Sequence, residues 1–326
     1  MASPLPIPAG VERAVAPATG RAVCSVATTT GRGLLAHERA FLALYAAVVV
    51  RLAAAATRTA WHEASWWLAL AAASLALAAA AEPTRSAGAW RARLGAYLVL
   101  MNVAYLRLAR VFAVTGGVRR DAALRRADSA LFGAPVPLLV DRWHAPLLSD
   151  LLSGCYLLLF PYLTIACVRH VVRWRRAPVE SVRFYEGLFT VYAIGFAGYL
   201  LVPAQGMWLD APGAFAHPIV GGWLTALNAR VVAAGSSRVD VFPSLHVAVS
   251  AFILGFHSRL APRWVRFAPP SRWWLRVAAL PTLALWFSTV YLGYHYGVDV
   301  IAGFATGAIG IAVAFRRSLG DAVAIK

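Results

Sequence analysis

Eight long apolar runs constrain this 326-residue chain more than any other feature of its sequence. Each is close to the length, about 20 residues, of a helix that crosses a hydrocarbon core. The runs lack the alternation of barrel strands, so they predict transmembrane helices. A hydrophobic content of 60% and a mean hydropathy of +0.64 agree with this, because a water-exposed surface must be more polar. The runs cover roughly residues 40–57, 66–82, 95–114, 147–168, 184–203, 244–261, 275–293 and 296–315.

The basic residues predict which way the chain crosses the membrane. The net charge of +17 would suggest a nucleic-acid partner in a soluble protein, but no polar segment combines basic and aromatic residues as a stacking platform. Arginines instead cluster in the connections after runs two, four, six and eight, as cytoplasmic segments do. This pattern predicts cytoplasmic termini and places segments 115–146 and 204–243 outside. The first of these has mixed charge, but a long segment partly escapes the rule.

The two ends of the chain differ in composition from the runs. Residues 1–36 are rich in Ala, Pro, Thr and Gly without a continuous apolar stretch, which predicts a disordered tail rather than a cleaved signal peptide. Residues 316–326 are expected to form a short cytoplasmic tail. Lys326 is the only lysine in an Ala- and Arg-rich chain, a composition typical of a GC-rich genome. We therefore expect a bacterial plasma membrane protein.

A first polar segment interrupts the apolar pattern at the start of run six. It contains Pro243, Ser244 and His246. Proline suits a first helical turn, whose free amides and dipole attract anions. Ser244 adds a hydroxyl and His246 a titratable group, so the segment predicts an anion site with an acid or base beside it.

A second polar segment joins runs seven and eight. His295 and Asp299 are four residues apart, so on a helix they share a face and the carboxylate can orient the imidazole. An ionisable pair at membrane depth is costly unless it has a function. Alternatively, such histidines only form hydrogen bonds between helices. Two histidines with one carboxylate could also bind zinc, although the H-E-x-x-H spacing is missing.

The two segments together resemble the type-2 phosphatidic acid phosphatase superfamily, most closely its branch of inositol phosphorylceramide synthases. The resemblance rests on Phe242-Pro243-Ser244-Leu245-His246 followed by Ser288-Thr289, His295 and Asp299. It also covers Asp128–Gly133 and Tyr199–Gly206 and extends over about residues 95–315. It implies an all-α integral membrane fold with about eight transmembrane helices, in which residues 95–315 form a six-helix catalytic core. Residues 37–94 would then be an accessory N-terminal pair.

The resemblance also implies a mechanism and the residues that perform it. His295 would attack phosphorus and form a phosphohistidine, Asp299 would orient His295, and His246 would serve as acid and then base. Ser244, Ser288, Thr289 and the first-turn amides would hold the phosphoryl oxygens. No metal or other cofactor is expected, because hydrogen-bond donors and cations would stabilise the charge.

Two departures from the broad family's pattern favour the inositol phosphorylceramide synthase branch, and one departure from that branch leaves a phosphate-binding cation to be found. The family's signature lysine cannot be present, and Thr289 occupies the place of an arginine. In that branch Gly-Pro-Arg often stands where this chain has Gly206-Met207-Trp208. Arg238 is a candidate replacement for phosphate binding. Candidate substrate-binding residues are Gln205, Arg107 and Arg110; the two arginines could equally extend to the membrane interface.

The sequence therefore predicts a phosphotransferase that acts on a lipid or lipid-linked phosphoester at the extracytoplasmic face. The acceptor would be an inositol or another alcohol, or water if the enzyme is a lipid phosphate phosphatase. A transporter in which the histidines pack or carry protons is the alternative of another class, although the chain shows no internal hydropathy repeat.

Overall fold

The computed structural model describes residues 34–80, 87–173, 177–264 and 271–316, which form helices and connections without a β-strand. Nearly all of the predicted tail 1–36 and all but the first residue of the predicted tail 316–326 lie outside these ranges. The helices are α1 (Ala36–Ala55), α2 (Arg58–Ala80), α3 (Ala87–Val114), α4 (Asp121–Phe132), α5 (Val136–Val140), α6 (Pro146–Leu157), α7 (Leu159–Arg173), α8 (Pro178–Leu201), α9 (Met207–Asp210), α10 (Trp223–Gly235), α11 (Leu245–Trp264), α12 (Ser271–Tyr291) and α13 (Gly297–Phe315).

Each predicted apolar run coincides with a helical segment, and run four contains both α6 and α7. Five stretches in the described part are long and apolar enough to cross a membrane: Arg58–Ala80, Arg91–Val114, Pro146–Arg173, Val179–Leu201 and Gly297–Phe315. Helices α11 and α12 contribute the shorter apolar stretches Leu245–Leu260 and Ala279–Tyr291. The prediction of an all-α integral membrane protein is confirmed.

The fourth run is interrupted at Leu158, between α6 and α7. Pro161 has no amide hydrogen to donate to the carbonyl of Leu157, so the helix cannot continue regularly through this point. Tyr162 resumes the pattern by donating to the carbonyl of Leu158 at 3.0 Å. The interruption lies two residues after Tyr156, which lines a cavity together with His246 and His295.

Helices α8, α11 and α13 pack closely at the centre of the bundle. Phe184 and Phe252 are fully buried, with their ring centroids 5.7 Å apart. Glycines bring α13 against its neighbours: a Cβ on Gly307 would lie 2.8 Å from the carbonyl oxygen of Ala248. Close backbone contact through small residues is the usual way in which helices associate within a membrane.

Buried ion pairs attach α1 and α2 to α3. Arg93 donates from Nε to Glu38 at 2.7 Å, and both side chains are almost fully buried. Glu63 on α2, only 1% exposed, pairs with Arg107 on α3. The N-terminal pair is therefore joined to the rest of the bundle by charge as well as by apolar packing.

Segments 115–146 and 204–243 contain short helices that cover one end of the bundle. Buried carboxylates hold these segments together by accepting backbone hydrogen bonds. Asp121 accepts from Gly206 at 2.9 Å, and Asp141 accepts from His217 at 3.0 Å. Several acidic residues that gave these segments their mixed charge are thus internal hydrogen-bond acceptors.

Candidate active site

The turn between α12 and α13 carries His295 and is held by two glycines. Gly293 has a φ of 69°, and Gly206, with a φ of 83°, approaches so closely that a Cβ there would lie 2.5 Å from the carbonyl oxygen of Tyr294. Glycine adopts such positive φ values without strain. The amide of His295 donates to the carbonyl of Thr289 at 3.0 Å. The backbone of His295 is therefore fixed before any side-chain contact is counted.

The side chains of His295 and Asp299 face each other. Nδ1 of His295 lies 3.7 Å from Oδ2 of Asp299, and the two side chains are 4% and 0% exposed. That oxygen also accepts the amide hydrogen of Tyr296 at 2.8 Å. Within the described residues, Nδ1 of His295 and Oδ1 of Asp299 have no hydrogen-bond partner. Nδ1 of His295 therefore faces the carboxylate, and Nε2 is on the opposite edge of the ring.

Asp128 caps the start of α13. Its carboxylate accepts from the amides of Gly297 at 2.9 Å, Val298 at 2.8 Å and Val136 at 2.9 Å. A carboxylate is stabilised at a helix N-terminus because it meets both free amides and the positive end of the dipole. Asp128, from a stretch that the resemblance also covers, thus positions the helix that carries Asp299.

The first polar segment meets the second at the start of α11. Ser244 donates its amide hydrogen to the carbonyl oxygen of Asp299 at 3.1 Å, and the imidazole centroids of His246 and His295 are 6.2 Å apart. Pro243 lies just ahead of α11 rather than in its first turn as predicted, because Ser244 provides the cap by accepting from the amide of Val247 at 3.5 Å. The histidines that are 49 positions apart in the chain belong to one site.

A cavity of about 440 Å³ opens beside the two histidines. It is lined by His246 and His295 and extends between α3, α7 and α8. Most of its wall is apolar or aromatic and includes Met101, Leu163 and Phe196. The cavity can therefore accommodate an apolar chain next to a polar, titratable end.

Three predicted phosphate-binding hydroxyls lie near the histidines but outside the cavity wall. The hydroxyl of Ser288 donates to the carbonyl of Leu285, and that of Thr289 to the carbonyl of Trp286, both at 2.7 Å. Ser244, the cap of α11, is likewise fully buried. Their local helix bonds explain this placement, since serine and threonine readily hydrogen-bond to backbone groups nearby.

Arg238 lies next to the cavity. Its Cζ is 5.3 Å from the ring centroid of Trp208, a residue of the cavity wall. Its φ is 60°, an unfavourable conformation for a residue with a side chain. Among the described residues its guanidinium has no ion pair, so the charge is held against an aromatic ring instead.

The candidate substrate-binding residues separate into two groups. Gln205 lines the cavity, and its backbone N–H donates to the carboxylate of Asp121 at 3.1 Å. Arg107 and Arg110 do not line it; both turn towards Glu63 on α2, with Nε of Arg110 at 3.8 Å. The structure thus brings Gln205 to the site and places the two arginines at the contact between α2 and α3.

Several polar groups of the cavity wall were not predicted from the sequence, among them Tyr156 and Asp240. Tyr156 contacts His246, and Asp240 accepts from the hydroxyls of Tyr105 at 2.6 Å and Ser236 at 2.7 Å. The spacing of a tyrosine within an apolar run does not distinguish a site residue from a residue that only packs in the core. Asp240, two residues ahead of Phe242-Pro243-Ser244, was the one group whose position in the chain could have drawn attention.

The described residues contain no group of three His, Cys, Asp or Glu side chains placed to hold a metal ion. Chemically, the site offers a nucleophilic imidazole beside a carboxylate and a second imidazole that can transfer a proton.

The fold and the site define a helical membrane protein with paired histidines at the end of an apolar cavity. A family model of the PAP2 superfamily, the type-2 phosphatidic acid phosphatases, matches residues 122–313. This match covers more than half of the chain, so the protein belongs to the PAP2 superfamily and is an enzyme of the phosphatase or phosphotransferase type. Comparisons with curated proteins and with solved structures found no significant match.

Proposed function

We propose that this protein is a phosphotransferase that acts on a lipid or lipid-linked phosphoester through a phosphohistidine on His295. The observation that supports this most strongly is the meeting of the His295–Asp299 pair with His246, 6.2 Å away, at the polar end of an apolar cavity. The remaining residue roles follow from this arrangement and from the superfamily.

In the first half-reaction, Nε2 of His295 forms a bond to phosphorus while the bond from phosphorus to the leaving alcohol oxygen breaks. The imidazolium of His246 gives its proton to that oxygen. Asp299 faces Nδ1 of His295 and stabilises the positive charge that develops on the ring. The products are an alcohol and a phosphorylated His295.

In the second half-reaction, neutral His246 takes the proton of an incoming hydroxyl as its oxygen attacks phosphorus. The bond between phosphorus and Nε2 of His295 breaks, which restores both histidines. An alcohol acceptor makes the protein a transferase and water makes it a phosphatase. The same residues serve both outcomes.

The phosphoryl oxygens would be held by the start of α11 and by Arg238. The amides of Leu245 and His246, in the first turn, have no hydrogen-bond partner in the described part of the chain. They provide donors at the positive end of the α11 dipole. Ser244, Ser288 and Thr289 remain proposed contributors, since their buried oxygens can still accept or redirect a hydrogen bond as the site fills.

The charge of the cavity favours a phosphodiester donor over a phosphomonoester donor. In the described part, its wall includes Asp240 but no lysine or arginine. A monoester dianion would be poorly balanced there, whereas a diester carries one negative charge. This supports an activity like that of inositol phosphorylceramide synthases, with an inositol or another alcohol as acceptor. The lipid phosphate phosphatase remains the second candidate because Arg238 lies beside the cavity.

The proposed location of the site is the extracytoplasmic face of a bacterial plasma membrane, with both termini cytoplasmic. The arginine-rich connections support this orientation, because the site lies at the opposite ends of the same helices.

The test uses protein purified in detergent with EDTA and a panel of lipid phosphates and phospholipids, with and without myo-inositol. Wild type is compared with His295→Ala and with His62→Ala, which removes an exposed histidine of α2. We expect phosphate release or a new phospho-headgroup product that only His295→Ala abolishes. Turnover indifferent to His295→Ala would refute the proposal, and turnover that EDTA abolishes would indicate a metal enzyme.

A further inference from the structure

Tyr156 lies against the imidazole of His246. The two rings are stacked with centroids 4.0 Å apart and planes 23° apart, and Oη of Tyr156 is 3.3 Å from Nδ1 of His246. Tyr156 comes from α6, is 5% exposed and forms part of the cavity wall. One face and one nitrogen of His246 are therefore held by a single residue from another helix.

The two nitrogens of His246 have different surroundings. Nδ1 faces the tyrosine oxygen, whereas Nε2 is buried and has no hydrogen-bond partner among the described residues. A nitrogen that gives a proton in one half-reaction and takes one in the other must alternate between N–H and lone pair. When Nε2 is that nitrogen, Nδ1 keeps its hydrogen in both states. The tyrosine oxygen can accept a hydrogen bond from Nδ1–H throughout.

We propose that Tyr156 is the positioning residue of His246: Oη accepts the Nδ1–H hydrogen bond and thereby assigns proton transfer to Nε2. The inference rests on the proposed role of His246 as acid and base. It deepens that role, because it names the group that selects the reactive nitrogen.

The choice of a tyrosine agrees with the charge of the site. His295 already faces the carboxylate of Asp299, and the carboxylate of Asp128 caps the start of α13, the helix that carries Asp299. A phenol oxygen orients His246 without placing a further negative charge beside a phosphate. It also leaves the tyrosine O–H hydrogen available to an oxygen atom of a ligand in the cavity.

The kinetic test compares Tyr156→Phe, which keeps the stacked ring and removes Oη, with wild type on two phosphoesters. One has an alkyl alcohol as leaving group and needs an acid; the other releases p-nitrophenolate and does not. Tyr162→Phe is the matched control, since it removes a phenol oxygen from α7 outside the cavity wall. The measured quantity is kcat/KM, which reports the steps up to departure of the leaving group.

We expect Tyr156→Phe to lower kcat/KM about tenfold or more for the alkyl ester and less than about twofold for the aryl ester. Tyr162→Phe should change neither. Equal losses on both substrates, or no loss on either, would overturn the inference while His295-dependent turnover still supported the proposed function. Absence of any His295-dependent turnover would overturn the proposed function itself.

A second readout does not depend on turnover. Nitrogen NMR of histidine-labelled protein, with His246→Ala to assign the signal, reports which nitrogen of neutral His246 is protonated. We expect the hydrogen on Nδ1 in wild type and a shift towards the Nε2–H tautomer in Tyr156→Phe. An Nε2–H tautomer in wild type would refute the proposed contact whatever the kinetics show.

Discussion

The amide of Ser244 donates a 3.1 Å hydrogen bond to the carbonyl oxygen of Asp299 and so joins the two polar segments through their backbones. The bond connects the cap of α11 to the first turn of α13. It links the two helix starts beside which His246 and His295 lie, with imidazole centroids 6.2 Å apart. The proposed acid and nucleophile are thus positioned by backbone contacts as well as by their side-chain partners.

Asp299→Asn should abolish most activity without unfolding the protein. The amide oxygen of Asn can still accept the hydrogen of Tyr296, but the charge facing Nδ1 of His295 is lost. We expect kcat to fall about 10³-fold or more, with thermal stability in detergent close to that of wild type. Asp299→Ala should lose activity and stability together. Activity of Asp299→Asn within threefold of wild type would contradict the orienting role.

Arg238→Ala should weaken binding of the phosphate group. Loss of a charge-assisted hydrogen bond of about 1.5–3 kcal/mol corresponds to a rise in KM of about tenfold or more. Arg230→Ala, on the exposed side of α10, changes the net charge equally and should leave KM within twofold. Equal effects of the two substitutions would show that only the overall charge matters.

The backbone conformation at Arg238 allows a separate test of whether this position is strained. Alanine would retain the strain of a φ of 60°, whereas glycine would relieve it. We expect Arg238→Gly to be more stable than Arg238→Ala by about 1 kcal/mol, although both lose phosphate affinity. Thermal unfolding in detergent measures the difference, and equal stability would indicate that the loop relaxes around any residue.

Arg107→Ala should affect stability rather than substrate binding. Glu63 is only 1% exposed, and removal of Arg107 leaves this buried carboxylate with only the Trp67 Nε1–H donor at 3.3 Å and the more distant Arg110, at a cost of about 3 kcal/mol. Arg110, 60% exposed and 3.8 Å from the same carboxylate, should contribute about 1 kcal/mol or less. Unfolding temperatures and KM values of the two variants check this. A large rise in KM with unchanged stability would restore the substrate-binding role predicted from the sequence.

Gly307→Ala should destabilise the bundle because its Cβ would lie 2.8 Å from the carbonyl oxygen of Ala248. Helix α13 must shift, and overpacking of this kind costs about 1–3 kcal/mol. Gly95→Ala in α3 meets no atom within 4 Å and is the matched control, expected to be neutral or slightly stabilising. Similar unfolding temperatures for the two variants would show that α13 does not depend on this contact.

The sequence predicted the membrane helices well because hydrophobic length is a local property. It also predicted that His246, His295 and Asp299 belong together, since their spacing is retained in the superfamily pattern. It did not predict that the hydroxyls of Ser288 and Thr289 donate to their own helix, because that depends on side-chain rotation.

Contacts between residues that are far apart in the chain could not be predicted from local sequence patterns either. Glu63 and Arg107 are 44 positions apart, and neither belongs to a motif that links them. Tyr156 is one of several aromatic residues in apolar runs, and only the tertiary arrangement of the helices places it beside His246. Contacts of this kind become visible only when the helices are assembled.

The cap that Asp128 forms on α13 has an electrostatic consequence for the whole site. The positive pole of α13 is already neutralised internally by two carboxylates, those of Asp128 and Asp299. The adjacent pole of α11 has no such internal counter-charge among the described residues. Two neighbouring helix poles of the same sign therefore differ: the pole of α13 is neutralised by the protein's own carboxylates, and the pole of α11 is the one to which our proposal assigns the phosphoryl oxygens.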